Sequence, residues 1–311
     1  MSITYTTNNS ITMSEPITVR RFSKRHVEDN DRYLFNVNNR WADDDEPEPD
    51  DYYDVLRRTE TNRWVNIMKP DHVHHLDFDK EDTDWMLQAL NGYALMLMMM
   101  RTEPLQAATV ISRLYKEQLE KTVAKHAAEF PAGNWFVRVE RVSLKSGVHG
   151  AGPYDNLKNI IRSIITSKLG HECLSIDDDL ERFRLYLFPW VTIQHEFRLF
   201  VYQNRISAIS TQHYGEIDKQ LADKTDDELK ANVVDKIVGH FNENLRDRLT
   251  LIVGPDYTID IAILEDGSVY FIEPNCFGAN YAAGSSLFHW LTDHNVLCST
   301  EGVEFRFVDK E

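Results

Sequence analysis

A chain of 311 residues with 42% hydrophobic content is long enough for one large core or for two lobes. Its 34 basic residues face 50 acidic ones, a formal charge of −16, which excludes long-range attraction to nucleic acid or an anionic membrane unless basic groups cluster locally, and none do. Cys173, Cys276 and Cys298 are far apart with no C-x-x-C spacing, which excludes a disulfide framework or zinc ribbon and predicts a reducing, cytoplasmic compartment.

The N-terminal "MSITYTTNNSITMSEP" is polar and lacks an apolar signal core, and "YALMLMMM" is too short to cross a bilayer, so a soluble protein is predicted. Residues 1–62 read as a polar and acidic segment, with a loop at "ADDDEPEPDDYYD", where acids and prolines cannot bury enough apolar surface. An acidic tether for a basic partner is the functional alternative for that run. His72, His74 and His75 have no acid or thiol at a supporting spacing and read as surface or loop histidines. Helical spacing then predicts helices over Asp82–Met100 and Glu103–Phe130, the second with Thr102 as N-cap and Pro104 in the first turn. Met96, Met98, Met99 and Met100 read as soft packing in a helix core, with an adaptable binding surface as the alternative.

After Gly133 the pattern shifts to short strands, "NWFVRVERV" and "FRLYLFPW", around a helix over Tyr154–Lys168. A hairpin turning at Gln203–Asn204, a helix over Thr225–Leu249 and a second hairpin, "YTIDIAILEDGSVYFIEPN", complete an α+β layout around a cleft.

That last hairpin carries the chemistry. Asp266-Gly267 suits a two-residue type I′ turn, which needs positive φ at both positions. Counting outward from Glu265 opposite Ser268, Leu264 pairs with Val269, Ala262 with Phe271, and Asp260 with Glu273. Two carboxylates then stand with Cβ atoms about 4.5–5.5 Å apart, which destabilises a sheet unless something positive lies between them. Alternation puts Asn275 on the same face and leaves Ile259, Ile261, Ile263, Tyr270 and Ile272 for the core. Two acids and an amide oxygen are hard ligands suited to Mg²⁺ with phosphate oxygens, so a magnesium–nucleotide site is expected. A slipped register, or screening by water and a lysine, is the alternative.

Upstream, alternation in "EFRLFVY" turns Arg198 onto a polar face, where it could fork onto phosphate or pair with Glu196. "WFVRVERVSLKSGVHGAG" puts Arg138 on a strand and Lys145 in the turn after it. Gly147, Gly150 and Gly152 follow, in a loop able to bring backbone N–H groups over phosphates.

Together "FVRVERVSLK", "LYLFPWVTIQHEFRLFV", "ISAISTQHY", "IDIAILEDGSVYFIEPNCFG" and "SSLFHW", in that order, resemble the cell division cycle protein 123 family over roughly Trp135–Trp290. The resemblance implies an ATP-grasp-like fold of two lobes with antiparallel sheets flanked by helices and ATP in the cleft. The lobes would be 63–185 and 186–311. It implies that Arg138 and Lys145 hold ATP phosphates from one lobe and Arg198 from the other. Asp260, Glu273 and Asn275 would coordinate magnesium, and the backbone of Tyr186, Leu187 and Phe188 would meet the adenine edge. The chain departs from the family in Arg138 for a usual lysine, Glu273 for aspartate, His213 for a common arginine and Cys276 for proline. Relatives of this kind assemble eukaryotic translation initiation factor 2 by gripping its gamma subunit, and that is the partner implied. The alternative is an ATP-dependent ligase that activates a carboxylate as an acylphosphate for an unknown acceptor. Neither reading requires a nucleophile from the protein, and no catalytic residue is assigned.

Overall fold

The computed structural model describes residues 16–36, 49–69, 73–167, 183–281 and 283–311. Most of the N-terminal stretch, the acidic run before Pro49, His72, Lys168 and Cys173 lie outside them. Contacts divide the chain into two units, one of residues up to Val55 together with Ile193–Glu311, the other Leu56–Thr192.

The first unit is built on a six-stranded sheet. β1 (Ile17–Ser23) is followed by helix α1 (Lys24–Leu34), and then by β5 (Ile193–Tyr202), β6 (Arg205–Thr211), β7 (Tyr257–Leu264), β8 (Val269–Asn275) and β9 (Val303–Lys310), in the order β1-β9-β6-β5-β7-β8. Gln203 and Asn204 both have positive φ, +49° and +62°, as a tight type I′ hairpin between β5 and β6 requires. β9 lies parallel to both β1 and β6, so this sheet is mixed where antiparallel sheets were expected. The cause is the last strand, which returns between two strands already laid down. β5, β7 and β9 are buried along most of their length, and the charged residues they bury are paired, Arg198 with Asp260 and Arg306 with Glu304.

The first 62 residues hold more structure than their polarity suggests. Ser23 caps α1 by accepting from His26 N at 3.1 Å. The end of the acidic run enters helix α2 (Tyr52–Arg58), where the buried Tyr52 ring stacks on Tyr281. Composition averaged over the segment conceals the short apolar alternation of β1. The helix expected from Thr225 is present, with Thr225 and Glu228 forming a reciprocal capping box. It continues through 226–253 with π-helical turns at Lys230–Val234 and Phe241–Leu245, and ends at Gly254, φ +93°. Its contacts run from β1 at one edge of the sheet to β8 at the other.

The second unit has a three-stranded antiparallel sheet, β2 (His74–Phe78), β3 (Trp135–Arg138) and β4 (Phe183–Pro189), with β4 central. Helices α3 (Thr61–Met68), α4 (Lys80–Met98), α5 (Pro104–Leu114), α6 (Lys116–His126) and α7 (Leu157–Ile164) accompany it. Asp79 caps α4, and Glu103 rather than Thr102 precedes Pro104 at the start of α5. The helix expected over Glu103–Phe130 is broken at Tyr115, whose ring stacks on Trp85 of the core. Of the methionine run, Met96 alone packs against the core, while Met98, Met99 and Met100 are 79%, 76% and 66% exposed, which overturns the reading as core packing. Consecutive positions cannot share one helix face, and α4 ends at Met98 with Arg101 in the left-handed region, φ +50°. No helix among the described residues is long and apolar enough to cross a membrane.

Candidate functional site

The turn between β7 and β8 is not the two-residue turn expected. Leu264 N donates to Ser268 O at 3.0 Å and Gly267 N to Leu264 O at 2.8 Å, closing a three-residue loop in which Gly267 alone is left-handed, φ +80°. Asp266 accepts from both N and Oγ of Ser268, so its side chain steadies the loop without a positive φ of its own. Pairing near the turn is consequently displaced by one: Ile263 faces Val269, Ala262 faces Tyr270 and Ile261 faces Phe271. A bulge then absorbs Ile272 and brings Asp260 opposite Glu273, Ile259 opposite Pro274 and Thr258 opposite Asn275. The expected acid pair is present through two compensating irregularities. The faces change with them: Phe271 and Val269 join Ile261 and Ile263 on the core side, and Tyr270 shares the Asp260 side with Ala262.

Asp260 is 2% exposed, and β5 supplies its partner. Arg198 stands opposite it on the neighbouring strand and forks onto it, Nε to Oδ1 at 2.8 Å and Nη2 to Oδ2 at 2.7 Å. Nη1 of Arg198 donates to the Gly284 carbonyl at 2.8 Å. Asn275 Nδ2 and Gln212 Nε2 also reach Asp260 Oδ2, at 3.3 and 3.4 Å. Gln212 is held in turn by Ser286, whose hydroxyl donates to its Oε1 at 3.0 Å. Burial pushes the Asp260 carboxyl up, Arg198 draws it down, and the nearby Glu273 and Glu196 push it up again. The positive charge expected between the acids is therefore supplied in the first instance by Arg198, which pairs with Asp260 rather than with Glu196.

Three carboxylates, Glu196, Asp260 and Glu273, act on this one guanidinium, so the cluster keeps a negative surplus. His213, standing where an arginine is common in the family resembled, places Nε2 at 3.7 Å from Glu196. Carboxylate oxygens, an amide and residual negative charge are a donor set that fits a hard divalent cation. Such an ion would share Asp260 with Arg198. No group of three or more His, Cys, Asp or Glu side chains stands at metal-binding geometry among the described residues; the expected ligand set contains two acids and an amide.

The other expected residues belong to the second unit. Arg138 is buried at the end of β3, with its guanidinium 5.2 Å from the Trp64 ring centroid. Trp64 stacks on Phe188, and Lys69 Nζ lies 5.0 Å from the centroid of the Phe188 ring. Tyr186 and Leu187 sit in the central strand, paired with His75 and His74 on one side and with Arg138 and Val137 on the other, and Phe188 pairs with Phe136. The backbone of Tyr186 and Leu187 is thus flanked by ladders on both sides, and that of Phe188 has its ladder partner on the β3 side. The Tyr186 hydroxyl donates to Glu140, and burial together with that carboxylate raises the phenol well above its ordinary range.

Lys145 lies in a short 3₁₀ turn, Leu144–Ser146, and is exposed. The glycine loop after it is tied down rather than open. Val148 N donates to Thr166 Oγ1 and His149 N to Ser163 Oγ, while Gly147 N and Gly150 N bond within the loop. A Cβ at Gly147 would lie 2.4 Å from the Ser163 carbonyl oxygen, so this glycine permits close approach to α7. Gly147→Ala is expected to lower stability by about 1–2 kcal/mol, measured by urea denaturation.

Three contributors were not foreseen: Gln212, Gly284 and Trp64. Gln212 sits in the quoted "ISAISTQHY" stretch and carried a signal through its place after β6. Gly284 acts through its carbonyl, which no side-chain pattern announces.

Residues 163–311 match the D123 family. The structure of Cdc123 from Schizosaccharomyces pombe is similar at a TM-score of 0.54 and 17% identity, covering 83% of this chain and 98% of that one. A C-terminally truncated Cdc123 from the same organism gives 0.53 and 16%, covering 84% and 98%. No curated protein sequence matches. At these identities the likeness is one of fold.

Proposed function

We propose that this chain, which matches the D123 family over residues 163–311, is an ATP- and magnesium-binding assembly factor acting on the gamma subunit of eukaryotic translation initiation factor 2. The observation that carries the reading is the Arg198 fork on Asp260 with Glu273 directly opposite. One N–H on each terminal nitrogen of Arg198 is left over after these bonds, suited to phosphate oxygens. Asp260, Glu273 and Asn275 would hold magnesium, which supplies charge neutralisation for a triphosphate. Arg138 and Lys145 would add phosphate contacts, and the backbone of Tyr186, Leu187 and Phe188 would serve the adenine edge.

A ligand that binds only the folded protein raises its stability, by about 2.7 kcal/mol at a hundredfold excess over Kd. Thermal unfolding with Mg-ATP should therefore shift upward in the wild type and much less in Glu273→Gln, which lacks one ligand charge. No shift at millimolar Mg-ATP would overturn the nucleotide reading. The partner is tested separately, by retention of purified gamma subunit on the immobilised chain; its passage unretained would overturn that half of the proposal.

A further inference from the structure

The methionine run that the core leaves uncovered belongs to a larger apolar face on the second unit. Leu95, Met98 and Met99 stand three and four residues apart along α4 and its end, the spacing that puts side chains on one side of a helix. Met99 keeps that geometry past the last residue of α4, with φ −88° and ψ −38° and its N–H donated to Leu95 O at 2.9 Å. The chain then reverses: Arg101 takes φ +50°, and Thr102 N donates back to Met96 O at 3.1 Å. α5 starts at once with Pro104, turns Ala107, Ala108 and Ile111 inward and leaves Leu105 72% exposed in its first turn. The two helices are packed closely, since a Cβ at Gly92 would stand 3.1 Å from Ile111 Cδ1.

Leu95 is 56% exposed, and Met98, Met99 and Met100 are more so. With Leu105 these residues offer on the order of 700 Å² to water, beyond the largest apolar patch of a typical monomer and close to the ~800 Å² that each partner gives a stable interface. Thioether side chains suit such a face, because they are flexible and polarizable and fill irregular gaps.

The charges at the rim decide what covers it. Arg101 and Glu103 flank the reversal two residues apart, both are exposed, and neither has an ion-pair partner among the described residues. A basic partner would be met by clustered acids and an acidic one by clustered cations; residues 95–105 carry one of each. One cation beside one acid is instead complementary to its own image under a two-fold rotation, where residue i meets j and j meets i. The face is also locally neutral in a chain of net charge −16, so two copies meet there with the least repulsion.

We propose that two copies of this chain pair through this face about a two-fold axis, with Leu95, Met98, Met99, Met100 and Leu105 at the centre and Arg101 of each copy against Glu103 of the other. This pairing is independent of nucleotide binding.

The test is sedimentation velocity of the full chain over a concentration series. Interfaces of this size hold at micromolar concentration or tighter, so two chains per particle are expected by about 100 µM. Met99→Glu and Leu105→Glu each place a charge at the apolar centre and should weaken association about a hundredfold. Both positions are exposed, so unchanged urea midpoints are expected, and either variant serves if the other fails to fold. Arg101→Glu sets acid against acid twice, by symmetry, and should weaken pairing about tenfold; adding Glu103→Arg should restore it. Glu103 makes no side-chain cap bond at the start of α5, so this exchange leaves the helix intact. A single chain at about 100 µM, a dimer that both apolar variants leave unchanged, or a charge exchange that fails to restore pairing overturns the proposal. So does a single chain whose retention of purified gamma subunit is lost in Met99→Glu, a result that would give the face to that partner.

Discussion

Asp260→Ala should destabilise the chain by about 3–5 kcal/mol in the absence of any nucleotide, because it strands the Arg198 guanidinium as an uncompensated buried charge. Both side chains are nearly excluded from water, 10% and 2% exposed, so screening offers little relief. The pair itself need not be worth that much. Removing both charges at once, in Arg198→Met with Asp260→Leu, should return most of the lost stability, since desolvating an ion pair offsets much of its attraction. Urea denaturation of wild type, single and double variants measures both quantities. A single variant within 1 kcal/mol of wild type, as for an ordinary surface pair, would mean that the cluster is open to solvent. The double variant should also have lost its response to Mg-ATP while remaining folded, which separates the structural part of this cluster from its proposed ligand part.

The cluster was partly legible in the sequence, and the limits are physical. Asp-Gly marks a turn, but Gly267 at positive φ serves a three-residue loop as readily as a two-residue one. Counting from the wrong loop still paired Asp260 with Glu273 because the bulge at Ile272 restored the offset. Pro274 fits the outcome: it lacks an N–H, and β8 is an edge strand. Alternation correctly turned Arg198 away from Phe197 and Leu199. What alternation cannot supply is the neighbour, because β5 and β7 are brought together by a long connection containing the helix over 226–253. The parallel pairing of β1 with β9 joins the two ends of the chain and was invisible for the same reason. Long-range adjacency, not local conformation, is where the reading stopped. The methionine run failed differently. Its residue type suggested burial, yet its spacing offered no single helix face, and spacing decided the result.

Acidification should weaken the second unit below about pH 4, through Asp82. This carboxylate is 4% exposed at the start of α4 and accepts from Thr122 Oγ1 at 2.6 Å, Lys125 Nζ at 2.7 Å and, across the contact with His126 Nε2, at 3.0 Å. Burial raises its pKa, but the hydrogen bonds from Lys125, Thr122 and His126 together outweigh burial and hold it below the usual carboxylate range. Asp79 beside it is lowered first by the bond from Lys125. A carboxyl whose folded pKa lies below its unfolded value of about 3.9 binds protons more weakly when folded, so the unfolded state takes up more protons as pH falls. The stability it contributes is complete above that value and disappears as pH drops through the folded one. Asp82→Asn should therefore cost about 3 kcal/mol at neutral pH, where the charge-assisted bonds are strongest, and much less at pH 2. Lys125 is 39% exposed and can turn to water, which keeps the cost below that of stranding Arg198. Urea midpoints of wild type and variant between pH 2 and 7 should converge at the acid end; a constant gap across that range would show that the Asp82 charge does not hold α4 to α6.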